Sequence, residues 1–150
     1  MCAATLSDDG EGPFLMTDSL SVHYEELEIG QVLGLGVCAI DEAGLDFFVE
    51  HFLPGWDRAY GAPDALLYAL WSRLFGEMSS QWAGFKALGV DGLRYLRNPD
   101  GGELLRGRLT VVGKDPVGDT KGIIVAQQDL LDEAGRLVFS CMTRGLVTRR

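Results

Sequence analysis

Residues Ala62–Met78, APDALLYALWSRLFGEM, read as one helix that is apolar almost all round. Leu66, Leu67, Leu70, Trp71, Leu74, Phe75 and Met78 leave few polar positions. Such a helix belongs in an interior, because none of its faces suits water. Pro63 fits the first helical position, where its missing N–H would have no partner anyway. Asp64 puts negative charge in the first turn, where the helix dipole favours it. Gly76 costs about 1 kcal/mol against alanine inside a helix, so the last turn is expected to fray.

Most other long elements around this helix read as strands. His23–Gln31, HYEELEIGQ, brings the chain into the domain, and Gly30 marks a turn. Val32–Ile40 is β-prone, and its Gly34 and Gly36 point to a bulge or a close approach. Asp41 can cap a short helix from Glu42 to about His51, with Leu45, Phe48, Val49 and Phe52 at helical spacing. Pro54 and Gly55 end it. The loop LPGWDRAYGAP then leads into the buried helix. Ser79–Gly89 reads as irregular connection, tacked down by Trp82 and Phe85, with a short strand at Val90–Leu96. Asn98–Gly102, NPDGG, is a strong turn signal. Glu103–Lys114 alternates, with Leu105, Leu109 and Val111 on one face and Arg106, Arg108 and Thr110 on the other. Gly122–Leu131 and Arg136–Thr148 follow, joined by a hairpin turn at Asp132–Gly135. Antiparallel strands joined by hairpins, with helices on one face, make an α+β domain. The strands are long enough to curl around a helix.

The whole chain has 150 residues, a size that suits one domain with a sizeable core. Residues 1–22 carry little periodicity and are expected to form a mobile tail, leaving 23–150 as the domain. The net charge is −9 and the ten Arg are scattered, so nucleic acid and anionic membrane are not expected partners. MCAATLSDDGEG lacks the basic and apolar regions of a signal peptide, and no stretch suits a bilayer, so a cytoplasmic protein is expected. Cys2, Cys38 and Cys141 suggest no disulfide framework. Cys38 and Cys141 fall in predicted strands, as small core residues. Two His and no paired Cys/His spacing indicate no metal site.

Tyr24–Gln31, YEELEIGQ, together with Leu88–Pro116, LGVDGLRYLRNPDGGELLRGRLTVVGKDP, resembles the MaoC-like hotdog-fold proteins, the acyl dehydratase/enoyl hydratase group. The ending LLDEAGRLVFSCMTRGLVTRR is similar in style, and the resemblance spans about residues 23–148. It implies a curved antiparallel sheet wrapped around the central helix and a homodimer with the two sheets side by side. A heteromer with a second hotdog chain is the alternative assembly. The ligands implied are acyl thioesters carried on coenzyme A or acyl carrier protein, with no cofactor.

The family's chemistry rests on an Asp and a His, five residues apart, before the central helix. Elimination of water beside a thioester needs a base for the α-proton and an acid for the leaving hydroxyl. Backbone N–H groups at the helix start, near Ala65, can polarise the carbonyl. This sequence departs from the motif: Leu53 stands where the Asp should be and Arg58 where the His should be, in a segment that is also shorter. Neither can act as a general base.

The remaining candidates each have a structural and a chemical reading. Asp57 is a solvated loop carboxylate paired with Arg58, or a substitute base. His51 suits the negative end of its helix, or moves a proton. Asp64 is a capping residue, or a proton carrier at the pocket mouth. Tyr60 and Tyr68 can donate to a substrate oxygen, although Tyr68 also reads as core. Trp56 lines an acyl pocket or covers a dimer contact, Leu53 lines the same pocket, and Arg58 holds a carboxylate or a carrier phosphate. Cys141 has no base beside it and is not read as a nucleophile. The expectation is a divergent lyase acting on an acyl thioester or a polyketide-like intermediate. The alternatives are a non-catalytic acyl-binding subunit, a cyclase/isomerase, and a thioesterase using Asp64.

Overall fold

The structure, a computed structural model, describes residues 21–150. Most of the tail expected over residues 1–22, with Cys2, lies outside the described residues. Val22 runs beside Trp82, its N–H donating to the Gln81 carbonyl at 2.8 Å and its carbonyl accepting from Ala83 N–H at 2.7 Å.

Five strands form one antiparallel sheet: β1 (Val32–Ala39), β2 (Lys86–Tyr95), β3 (Leu104–Val117), β4 (Lys121–Leu131) and β5 (Leu137–Thr148). Their order across the sheet is β1-β3-β4-β5-β2. Two tight turns make β3, β4 and β5 a meander, with Asp132 accepting from Ala134 and Arg136 N–H in the second. β1 and β2 add to its two sides, and each leaves an outer edge unpaired among the described residues. The ladder shifts at Gly34/Gly36, where Gly36 has φ +95°, so the bulge expected from these glycines is present. A second shift falls between Val111 and Gly113.

The α-helices among the described residues are α1 (Glu42–Phe52) and α2 (Asp64–Ser79). Asp41 caps α1 as expected, its side chain accepting from Ala43 N–H at 3.3 Å. Leu66, Leu67, Leu70, Trp71, Leu74 and Phe75 of α2 are all buried, in one cluster with Leu105, Leu109, Ile124, Leu130 and Phe139 of the sheet. Burying each such leucine contributes about 2 kcal/mol. The sheet therefore wraps the central helix, as a hotdog requires. Cys38 and Cys141 are core residues, and burial pushes the Cys141 thiol up to about 12. No helix among the described residues is long and apolar enough to cross a membrane.

Three expectations are corrected. Pro63 is the N-cap of α2 rather than its first helical residue, with ψ 153°, because its carbonyl already accepts from Leu66 and Leu67. The last turn of α2 does not fray at Gly76, whose carbonyl accepts from Ser80 N–H at 3.1 Å and from the Ser79 hydroxyl at 3.4 Å. β2 begins at Lys86, inside the stretch read as irregular, because pairing with Leu146 and Gly145 of β5 extends it. Its residues are mostly exposed, so no alternation marks its start.

A buried polar network lies in the middle of the core. Gln128 of β4 is fully buried under α2. Its Oε1 accepts from Trp71 Nε1 at 3.2 Å and its Nε2 donates to Thr143 Oγ1 at 3.1 Å. Thr143 in turn donates to the Ala126 carbonyl at 3.4 Å. Gln128→Leu would strand the indole N–H and remove a donor to Thr143. We expect it to destabilise the fold by about 2 kcal/mol, lowering the melting temperature by roughly 4–8 °C in a thermal unfolding scan.

Candidate functional site

The loop between α1 and α2 is organised by its own side chains. Leu53 closes α1, its N–H donating to the Val49 carbonyl at 3.0 Å. Trp56 donates from Nε1 to the Gly61 carbonyl at 3.0 Å and meets Tyr60 edge-on. Asp57 caps the short turn Arg58–Tyr60, accepting from Ala59 N–H at 2.8 Å. Arg58 pairs with two acids of α1, reaching Glu42 at 2.8 Å and also bonding Asp46. Glu42 and Asp46 lie one turn apart, so the guanidinium relieves their repulsion and ties the loop to α1. The pairing of Asp57 with Arg58 read from their adjacency is thus replaced by these contacts. Arg58 is already neutralised, which leaves it poorly suited to hold a substrate anion. His51 stacks on the Phe47 ring at 4.0 Å and faces solvent. Tyr60 is 68% exposed.

The start of α2 is held from a different direction. Gly61 has φ +86° and ψ −154°, a conformation essentially reserved for glycine. It turns the chain so that Ala62 N–H donates to the Pro99 carbonyl at 2.7 Å. Asn98, in the turn between β2 and β3, donates from Nδ2 to the Ala62 carbonyl at 2.8 Å and to Asp64 Oδ1 at 2.9 Å. Asp64 therefore does not cap the helix, which has no side-chain cap. It is an exposed carboxylate at the first helical position, pinned by a neutral donor. Beside it, the N–H groups of Asp64 and Ala65 precede the first backbone bonds of α2, which start at Leu66.

Tyr95, at the end of β2, completes the group. Burial first, and then the Asp64 carboxylate, Tyr68 and Cys141, push its hydroxyl above the ordinary tyrosine range. Tyr95 thus stays protonated as a donor while Asp64 is an acceptor. Tyr95 and Tyr68 both pack on Phe139. The structure therefore brings Asp64, Ala65 and Tyr68 to one place with Tyr95 and Asn98. It puts Leu53, Trp56, Asp57, Arg58, Tyr60 and His51 in the loop and on α1, in the contacts just described. Tyr95 and Asn98 were not singled out from the sequence.

The turn that presents Asn98 is fixed by an ion-pair network. Arg97 reaches Glu103 at 2.8 and 3.1 Å and Asp132 at 3.0 Å. Arg97 holds the Glu103 carboxyl below its ordinary range, and the Arg136 backbone N–H does most to hold Asp132 low. Carboxyls lowered on folding stabilise the folded state above their ordinary range, and that contribution is lost as the pH falls through the lowered values. The melting temperature is expected to be level down to about pH 5 and to fall below about pH 4. Asp132→Asn should flatten that acid limb, as thermal unfolding across pH would show.

A cleft of about 200 Å³ runs from Tyr68 along α2, between it and β2 and β5. Two other clefts, about 290 and 360 Å³, border Val37 and Asp132, and Leu27 and Met78, away from the start of α2.

No protein-family model matches the sequence, and no curated protein matches it. Solved structures do. The MaoC-like dehydratase of Rhodospirillum rubrum superposes with a TM-score of 0.75 at 19% identity, covering 87% of this chain and 99% of that one. The unliganded (R)-hydratase PhaJ1 of Pseudomonas aeruginosa gives 0.69 at 23% identity, over 87% of this chain and 88% of its own. The double-hotdog protein Rv0216 of Mycobacterium tuberculosis gives 0.70 at 19% identity, over 88% of this chain and 46% of its own length. The sheet order, the wrapped helix and these superpositions agree: the chain has the hotdog fold, in the form seen in MaoC-like dehydratases and (R)-hydratases.

Proposed function

We propose that the chain is a lyase of the hydratase/dehydratase kind acting on an acyl thioester, with Asp64 as the base. The observation that carries this reading is the Asp64 carboxylate pinned by Asn98 at the start of the buried helix, with Tyr68 one turn further on packing on the same Phe139 ring as Tyr95. In a 3-hydroxyacyl thioester, Asp64 would take the α-proton. The N–H groups of Asp64 and Ala65 would stabilise the enolate oxygen. Tyr95 would give its proton to the departing hydroxyl, releasing water and leaving the 2-enoyl thioester. The neighbours named as a dehydratase and an (R)-hydratase support the reaction class.

Exposed apolar side chains support a homodimer. Phe47, Phe52 and Tyr60 lie on α1 and its loop, and Leu88, Leu93 and Leu96 lie on or just beyond β2, at a free sheet edge. Such surface is normally covered.

The test is incubation with 3-hydroxyacyl and 2-enoyl thioesters of coenzyme A, followed by enoyl absorbance and by a free-thiol reagent. Interconversion without thiol release is the expected result. Thiol release would favour a thioesterase. No reaction in either direction would favour the second reading, an acyl-binding subunit, for which the displacement of the motif by Leu53 and an ion-paired Arg58 is the specific support.

A further inference from the structure

We infer that the 200 Å³ cleft beside α2 is the acyl pocket and that it takes a single aromatic ring. This rests on the reading of Asp64 and Tyr95 as the reacting groups, because Tyr68 borders both them and the cleft. An apolar cavity of about 150 Å³ holds benzene, so the space suits one ring with a short linker. Its walls are aromatic. Trp71 and Phe75 lie parallel, with centroids 5.7 Å apart. Phe85 stands edge-on to Phe75 at 5.5 Å, and Tyr68 is steeply inclined to Trp71 at 5.3 Å. A ring can stack on one wall and meet another edge-on, which a flexible aliphatic chain cannot do. The polar atoms of Trp71 and Thr143 are already engaged with Gln128, so neither calls for a polar group on the ligand.

Two glycines keep the cleft open. Gly76 is inside α2, where glycine is unfavourable relative to alanine. Gly89 is in β2. A Cβ on either would meet nothing within 4 Å, and neither has a positive φ. Close packing calls for glycine at neither position and neither needs a positive φ, although Gly89 follows a shift in the β2–β5 ladder; both line the cleft.

The test is calorimetric titration with the N-acetylcysteamine thioesters of 3-phenylpropionate and hexanoate. Both acyl groups are saturated and lack a 3-hydroxyl, so neither can be hydrated or dehydrated, and failure of the acid/base reading would not affect the result. A free-thiol reagent run alongside checks that neither thioester is hydrolysed. The phenyl compound is expected to bind at least tenfold more tightly. Gly76→Leu and Gly89→Val should each weaken it tenfold or more, with Gly76→Ala melting at or above the parent temperature as the folding control. Equal or tighter binding of the hexanoyl compound would overturn the choice of ligand. Unchanged affinity in both filled variants would overturn the site.

Discussion

Asp64→Asn is expected to lower turnover by roughly 10²–10⁴-fold while the protein stays folded, which is the range for loss of a positioned general base. The substitution is nearly isosteric. Its amide oxygen can still accept from Asn98, so the 2.9 Å contact that fixes the side chain need not be lost. What goes is the basic oxygen, together with a favourable charge at the helix start worth about 0.3–1 kcal/mol. Tyr95→Phe should lower the rate too, with little effect on substrate affinity, if the phenol acts on the leaving group as proposed. Asp57→Asn is the contrasting variant. Its side chain caps a turn through an oxygen that an amide keeps, so its rate should match the parent. Steady-state kinetics of the three variants separate the cases. A parent-like rate for Asp64→Asn, or a collapse for Asp57→Asn, would move the chemistry into the loop.

Gly61→Ala is expected to destabilise the protein by about 3–5 kcal/mol, lowering the melting temperature by roughly 10 °C or more. Two costs combine. The backbone at φ +86°, ψ −154° is strained for any residue with a Cβ. That Cβ would also lie 2.4 Å from the Asn98 carbonyl oxygen and 2.9 Å from that of Pro99, both backbone atoms with little freedom to retreat. Moving apart would break Ala62 N–H from Pro99 and draw Asn98 from Asp64. The activity should therefore fall further than the loss of folded protein explains, as turnover measured well below the melting transition would show. A variant melting within 2 °C of the parent would contradict the close approach.

The legible parts of the fold were those written in local sequence. The apolar circumference of α2, the Asp41 cap, the Gly34/Gly36 bulge and the alternation of β3 each depend on residues a few positions apart. β2 was less legible because its first residues, Lys86 and Ala87, are strand only by pairing with β5 some sixty residues later. The candidate site was hidden for the same reason. Asp57, Arg58 and His51 have suitable chemistry beside a suspected pocket. In the structure their partners are Ala59 N–H, Glu42 with Asp46, and the Phe47 ring. Asp64 read as a cap because it opens a helix. Only the Asn98 contact, across 34 residues, distinguishes it. The fold resemblance was carried by the strands, which survive the loss of the Asp/His motif.

The adjacent residues Gln128 and Asp129 have a consequence for how the sheet assembles. Gln128 points inward to Trp71, while Asp129 points outward, where Arg108 holds it at 2.8 Å. A one-residue slip of β4 against its neighbours would exchange them. A carboxylate would then enter the core beneath the central helix without a cation, and the indole would lose its acceptor. Apolar neighbours such as Ile123, Ile124, Val125 and Ala126 tolerate either face far better. Two polar residues thus act as a key that rejects misaligned pairings during folding, in a strand whose hydrophobic content alone would leave its alignment ambiguous.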